Sequence, residues 1–309
     1  MKSKSFTLIE LLVVIVIIGI LAGLIIVSTV SSISEANIAK SKVFSENTKN
    51  DLMLSLVSEW GLDNSTVDYC GPNDATWGGS GGSNTSAKYL SEGECISRKC
   101  LDFDGYDDYL SIPYNSSLSL DEATISFWIK LTSDPNTSSI NNWRNIIRSY
   151  SGSSPFYLYL EQDKNVNFSV IVSGVTYRYL GSSFSGETLS VGKWTFLTYS
   201  YGDDGYGKSY KDAVLSRSGK MKTSTGVECS GGVLAKNTSD LIFSWASGTS
   251  TPSGSGSIPG IIDEIKLYEA PLNQSQIKYQ YVAGLDSLLS KNLISLEEYN
   301  KKINSLASN

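Results

Sequence analysis

Histidine is absent from all 309 residues. Its absence removes the usual general base near neutral pH and the commonest ligand of transition metals, so Ser/His/Asp triads and zinc hydrolysis are excluded. Any acid–base chemistry would fall to carboxylates. Also missing is a stretch that interleaves Lys or Arg with aromatics, and 25 Lys+Arg stand against 31 Asp+Glu for a net charge of −6. Nucleic acid is therefore not an expected partner. Cysteine is scarce and forms no CxxC pair: Cys70, Cys95, Cys100 and Cys229 all follow the apolar N-terminal segment. That position suits disulfides better than a zinc site. Three pairings are open, with a slight lean to Cys70–Cys95, which would staple the Gly/Ser-rich loop between them.

What the chain does have begins with a run from Leu11 to Val30 in which every residue is apolar or small and none is charged. As a helix it would rise about 30 Å, the thickness of a bilayer's hydrocarbon core. Lys2 and Lys4 precede it and keep the start cytoplasmic, and no small-residue cleavage pattern closes it. From Ser31 to about Leu56 the residues stay helix-compatible, without Gly or Pro, so one long transmembrane and stalk helix is expected over residues 6–57. Glu10 stands at the edge of the apolar run, where a carboxylate needs a partner. Locally, Thr7-Leu8-Ile9-Glu10 reads as a capping box. Gly19 and Gly23 form a GxxxG pair that either permits close helix approach or is incidental.

The segment Lys4-Ser5-Phe6-Thr7-Leu8-Ile9-Glu10-Leu11-Leu12-Val13-Val14 resembles the prepilin signal of type IV pilins and type II secretion pseudopilins. The resemblance implies cleavage by a prepilin peptidase between Ser5 and Phe6, after a leader of residues 1–5. It also implies N-methylation of Phe6, and a role for Glu10 in neutralising a neighbouring subunit's terminal amine during assembly. Desolvation agrees with that role, because an amine and a carboxylate buried in lipid are best satisfied together. The sequence departs from the family at Ser5, where Gly is usual.

Near Ser58 the pattern changes to short alternating strands separated by Gly, Ser, Asn and Asp, as in an all-β sandwich or barrel. Ile125, Phe127, Ile129 and Leu131 share one face, and the same period recurs at Phe156/Leu158/Leu160, Phe168/Val170/Val172, Leu197/Tyr199/Tyr201 and Leu241/Phe243/Trp245. Phrases in a fixed order resemble the concanavalin A-like, laminin-G-like jelly-roll family: Leu101-Asp102-Phe103-Asp104-Gly105, Asp107-Asp108-Tyr109-Leu110, Thr124 to Ile129, Trp194-Thr195-Phe196 and Gly260 to Ile265. The resemblance implies a binding module for glycans or proteins, sometimes with calcium, and in some branches a glycoside hydrolase. After Pro271 a helical hairpin is expected, its first helix spanning about Gln274 to Ser290 and its second opening on the capping box Ser295-Leu296-Glu297-Glu298. The fold class is thus α+β: a transmembrane and stalk helix, a jelly-roll sandwich over 58–271 and a helical hairpin over 272–309.

Strand alternation puts Asp263 on the side of Ile261, Ile265 and Leu267, and a core-facing carboxylate needs a partner. Calcium is one reading, with Asp102, Asp104, Asp107 and Asp108 adding hard oxygen ligands elsewhere in the fold, Asp104 and Asp108 foremost. The other is that Asp263 accepts backbone N–H bonds and these acids sit in a solvated turn. An EF-hand is excluded, because its glycine and glutamate positions hold Asp107 and Pro113. Tyr157, Tyr159, Tyr177 and Tyr179 alternate within strands and either line a sugar-binding face or pack in the core. Trp128 and Trp194 belong to the core. The close acidic pair Glu161 and Asp163 leads into a hairpin turn, so no catalytic residues are expected. Three functions follow as expectations. The first is a pilin-like surface subunit, not an enzyme, that is anchored in the inner membrane before assembly and displays a lectin-like domain outside. The second is a pseudopilin of a secretion or DNA-uptake machine. The third is a membrane-tethered glycoside hydrolase.

Overall fold

The computed structural model describes residues 8–20, 46–79, 88–135, 143–149, 155–178, 187–236, 238–246 and 257–307. The chain forms two compact units, residues 1–51 and 52–309. In the first, residues 8–20 are one helix whose Leu, Val and Ile side chains are all exposed. A continuous apolar surface of this kind needs lipid or another apolar surface to cover it. Among the described residues, no helix is long and apolar enough to cross a membrane. Ser5, Phe6, Gly23 and the expected span beyond residue 20 lie outside the described residues.

The second unit is a jelly-roll sandwich of two antiparallel sheets with two C-terminal helices. Sheet I runs β14 (Val214–Lys220), β13 (Tyr206–Lys211), β12 (Thr195–Tyr201), β6 (Ala123–Leu131), β16 (Pro259–Tyr268), β4 (Leu101–Asp104) and β3 (Lys88–Tyr89), with β1 (Leu56–Trp60) also on β16. Sheet II runs β10 (Val175–Arg178), β9 (Asn165–Val172), β8 (Phe156–Glu161), β7 (Trp143–Ser149), β15 (Leu241–Ala246), β5 (Tyr109–Ile112) and β2 (Thr76–Gly78), with β11 (Glu187–Thr188) on β9. The stalk helix expected to about Leu56 stops one residue earlier, because Leu56 already pairs with Tyr268 and Trp60 with Ile265. β16 is the strand that joins sheet I: its first half pairs with β4, its second half with β1, and β6 lies along its other edge.

Alternation sorts the side chains into two cores. Phe103, Ile125, Phe127, Ile129, Phe168, Tyr199 and Phe243 meet between the sheets. On the outer side of sheet I, Trp128, Phe196, Ile261 and Tyr268 pack beneath α1 (Gln274–Ser290) and α2 (Leu296–Ala307). β6 and β12 are buried on both faces for this reason. The helix α1 is capped by Asn273 and Gln276, which bond each other's backbone N–H. It ends where Asn292 takes a left-handed φ of 58°. For α2, the Glu298 N–H donates to Ser295 Oγ at 3.1 Å, which is the first half of the expected capping box. α1 approaches so closely that a methyl group on Gly284 would lie 2.4 Å from Cζ2 of Trp128.

Candidate functional site

The hairpin covers the outer face of sheet I, so recognition by a sheet face falls to sheet II. In β8, Phe156, Leu158 and Leu160 point into the core, leaving Tyr157 and Tyr159 on the outer face with ring centroids 6.1 Å apart. Register puts Asn167 of β9 and Asn145 of β7 beside Tyr159, and Ser169 of β9 beside Tyr157. The Arg148 guanidinium lies 6.0 Å from the Tyr157 ring. Tyr157 and Arg148 are half-buried, while Tyr159, Asn145, Asn167 and Ser169 are buried. Two polar atoms in this group, Asn167 Nδ2 and Ser169 Oγ, have no hydrogen-bond partner. A buried amide and a buried hydroxyl left in that state carry a desolvation cost. Aromatic rings beside such groups suit a ligand with both C–H and O–H surface.

Tyr177 does not belong here. It pairs with Val170, a core residue, and packs against the inter-sheet core, so it faces away from Tyr157 and Tyr159. Tyr179 lies outside the described residues. Asn145, Asn167, Ser169 and Arg148 were missed by sequence reasoning; their only signal was polar residues at the alternate positions of otherwise apolar strands.

Asp263 does not join Asp104 and Asp108. A bulge at Glu264, with φ of 51°, shifts the register between Asp263 and Lys266. The phase therefore reverses: Ile261 packs under the helices, whereas Ile262, Ile265 and Leu267 enter the inter-sheet core. Asp263 Oδ2 accepts the N–H groups of Ile96 at 2.8 Å and Ser97 at 3.0 Å, and Oδ1 accepts that of Glu264 at 2.9 Å. Burial pushes its carboxyl well above the ordinary value, and these N–H donations act against that rise.

The loop that Asp263 holds is closed by a Cys95–Cys100 disulfide. This corrects the Cys70–Cys95 pairing: Cys70 is a free, exposed thiol and Cys229 a free, buried one. The same loop is tied to α1, since Ser287 Oγ donates to Ile96 O and Lys291 Nζ donates to the carbonyls of Cys95, Ile96 and Ser97.

Asp104, Asp107 and Asp108 gather at the turn between β4 and β5. Burial is the main reason the Asp108 carboxyl is pushed up to about 7; the Asp104 N–H opposes the rise, and the charges of Asp104 and Asp107 add to it. Elsewhere the acids serve turns. Asp163 accepts the Asn165 N–H at 3.0 Å, Asp204 that of Tyr206 at 2.9 Å, and Glu122 that of Asp203 at 2.8 Å. A cleft of about 370 Å³ between sheet I and the helices is lined by Lys130, Lys193, Trp194, Lys211 and Lys302 among others, with Lys302 paired to Asp212 at 2.9 Å.

Comparison with known families gives two matches. Residues 104–278 match the concanavalin A-like lectin/glucanases superfamily, and residues 1–26 match the prokaryotic N-terminal methylation motif. Among curated proteins none matches the chain. Of solved structures, domain 4 of AbnA, a GH43 extracellular arabinanase from Geobacillus stearothermophilus in complex with arabinotriose, is 19% identical with a TM-score of 0.52, over 72% of this chain and 97% of that one. The botulinum neurotoxin serotype D ligand binding domain in complex with N-acetylneuraminic acid is 17% identical with a TM-score of 0.53, over 77% of this chain and 53% of that one. The binding domain of Paraclostridial Mosquitocidal Protein 1 is 16% identical with a TM-score of 0.55, over 76% and 53%. The chain thus spans about half the length of these two toxin domains. At such identities the likeness is one of fold.

Proposed function

Because this chain belongs to the concanavalin A-like lectin/glucanases superfamily and carries a prokaryotic N-terminal methylation motif, we propose that it is a non-enzymatic, pilin-like surface subunit whose sandwich binds a glycan on the outer face of sheet II. One observation carries the ligand reading: Tyr157 and Tyr159 stand beside Asn167 Nδ2 and Ser169 Oγ, two buried polar atoms without partners. Two fold neighbours, one in complex with arabinotriose and one with N-acetylneuraminic acid, support a sugar as the class of ligand. Membrane insertion through the N-terminal helix, removal of residues 1–5 by prepilin peptidase and assembly with other pilin-like subunits through Glu10 complete the reading. It would hold the chain in the inner membrane first and at the cell surface or in a pilus afterwards.

The test is a glycan array probed with the full chain in detergent micelles, spanning arabino-oligosaccharides and sialylated glycans. Tyr157→Ala and Asn167→Ala should each weaken binding at least tenfold, about 1.4 kcal/mol, with little change in melting temperature. Unaltered binding in both variants would sink the site, and an array without signal would sink the ligand class.

A further inference from the structure

Both cysteines of the Cys95–Cys100 bridge are buried, and they share an apolar cluster with Ile277, Tyr281, Leu285 and Leu288 of α1. The peptide groups of the loop between them face two ways. Its N–H groups are held by acids outside the hairpin: Ile96 and Ser97 donate to Asp263 Oδ2, while Arg98 and Lys99 donate to Asp63 Oδ1 at 3.0 and 2.9 Å. Its carbonyls serve the hairpin. Ser287 Oγ donates to Ile96 O, and the single ammonium of Lys291 donates to the carbonyls of Cys95, Ile96 and Ser97. Lys291 is the C-cap residue of α1, so these bonds fix the end of that helix. Three carbonyls converge on one cation only while the loop keeps one shape, and the disulfide closes the loop at a sequence separation of 5.

We propose that the Cys95–Cys100 disulfide and the docking of the C-terminal hairpin are linked: the oxidised loop is the seat on which α1 settles, and the settled helix seals the bridge from reductants. Without the cross-link the loop gains other conformations, and these take carbonyls away from Lys291 or leave N–H groups unpaired. The linkage is reciprocal. Whatever factor the bridge adds to docking, docking adds to the resistance of the bridge to reduction. Oxidation takes two electrons and two protons from the Cys95 and Cys100 thiols, and an external disulfide oxidant accepts both and leaves as a dithiol. Such oxidation belongs outside the cytoplasm, where thiols are not kept reduced. The hairpin therefore docks firmly only after export, and the outer face of sheet I is sealed there. That location rests on the surface placement proposed above; the linkage itself does not, and it is independent of the glycan site.

One direction of the linkage is read by treating the native full chain, in detergent micelles, with a dithiol, then alkylating the thiols and weighing the fragments. Exposed Cys70 labels at once, and Cys229, buried in the inter-sheet core, labels only on global unfolding. In the wild type Cys95 and Cys100 should resist. Lys291→Met, which keeps the aliphatic stem and removes the ammonium, should speed their reduction about tenfold or more while Cys229 stays protected. Hydrogen exchange reads the other direction: Cys95→Ser/Cys100→Ser should raise exchange across residues 274–307 about tenfold or more, and further than in β8 and β9. An unchanged reduction rate in Lys291→Met would overturn the linkage, as would a folded double variant whose hairpin exchanges at the wild-type rate. Should the double variant fail to fold, the Lys291→Met rate decides alone.

Discussion

At the scale of single residues, acid groups act by what they accept. Asp68 Oδ1 takes the N–H groups of Glu59 at 2.9 Å and Cys70 at 3.0 Å, and Oδ2 takes that of Asn73 at 3.2 Å. Burial pushes its carboxyl up, but the N–H donations outweigh that and hold it below the ordinary aspartate value. A depressed acid stabilises the fold above the unfolded value of about 3.9 and loses that contribution as pH falls through its own lower value. Melting temperature should therefore drop between about pH 4 and pH 2, and Asp68→Asn should flatten that limb while lowering stability at neutral pH; an unchanged acid limb in the variant would contradict the assignment. The same scale shows where alternation misleads. A strict two-residue period carried across Glu264 puts Asp263 with Ile265 and Leu267, but the left-handed backbone at Glu264 breaks that period. A non-glycine bulge leaves no mark in the sequence. Tyr177 was grouped with Tyr157 because both alternate within strands, yet which of the two sets faces the core depends on pairing, not on period.

At the scale of elements, the readable parts were those with a local signature. The apolar alternations of β6, β8, β9 and β12 stand where the residues indicate, and of the expected capping box at Ser295 the Glu298 N–H to Ser295 Oγ half is formed. Strand β1 was not legible, because Leu52 to Val57 reads as a helical continuation and its strand partner lies some two hundred residues downstream on β16. The disulfide was equally hidden: four cysteines allow three pairings, and only the fold brings Cys95 and Cys100 together beneath α1. Packing of α1 yields a prediction of its own. Trp128 packs against Phe196, at 5.2 Å, and Tyr281, at 5.5 Å and nearly parallel, and those two rings are themselves 5.9 Å apart. With its ring so held, it has little freedom to retreat from a larger residue 284. Gly284→Ala should destabilise the domain by about 1–3 kcal/mol, read by chemical denaturation, despite alanine's better helix propensity. A neutral or stabilising result would mean that the indole moves freely.

At the scale of the molecule, the sandwich is one sheet short of being covered by itself. Trp128, Phe196, Ile261 and Tyr268 lie on the outer face of sheet I and are buried under α1 and α2. A chain ending at Pro271 should expose them, bind hydrophobic dyes and lose its cooperative melt; a sharp transition within a few degrees of the full chain would show that the hairpin is dispensable. The place of β16 matters in another way. Synthesis proceeds from the N-terminus, and β1, β4 and β6 leave the ribosome long before the strand at residues 259–268 that all three pair with. Until it emerges, their edges stay open to whatever strand comes near, whether from a sister polypeptide or an incomplete one. Closure of sheet I therefore waits for residues 259–268, and a chain that lacks them leaves β1, β4 and β6 each without a strand they pair with.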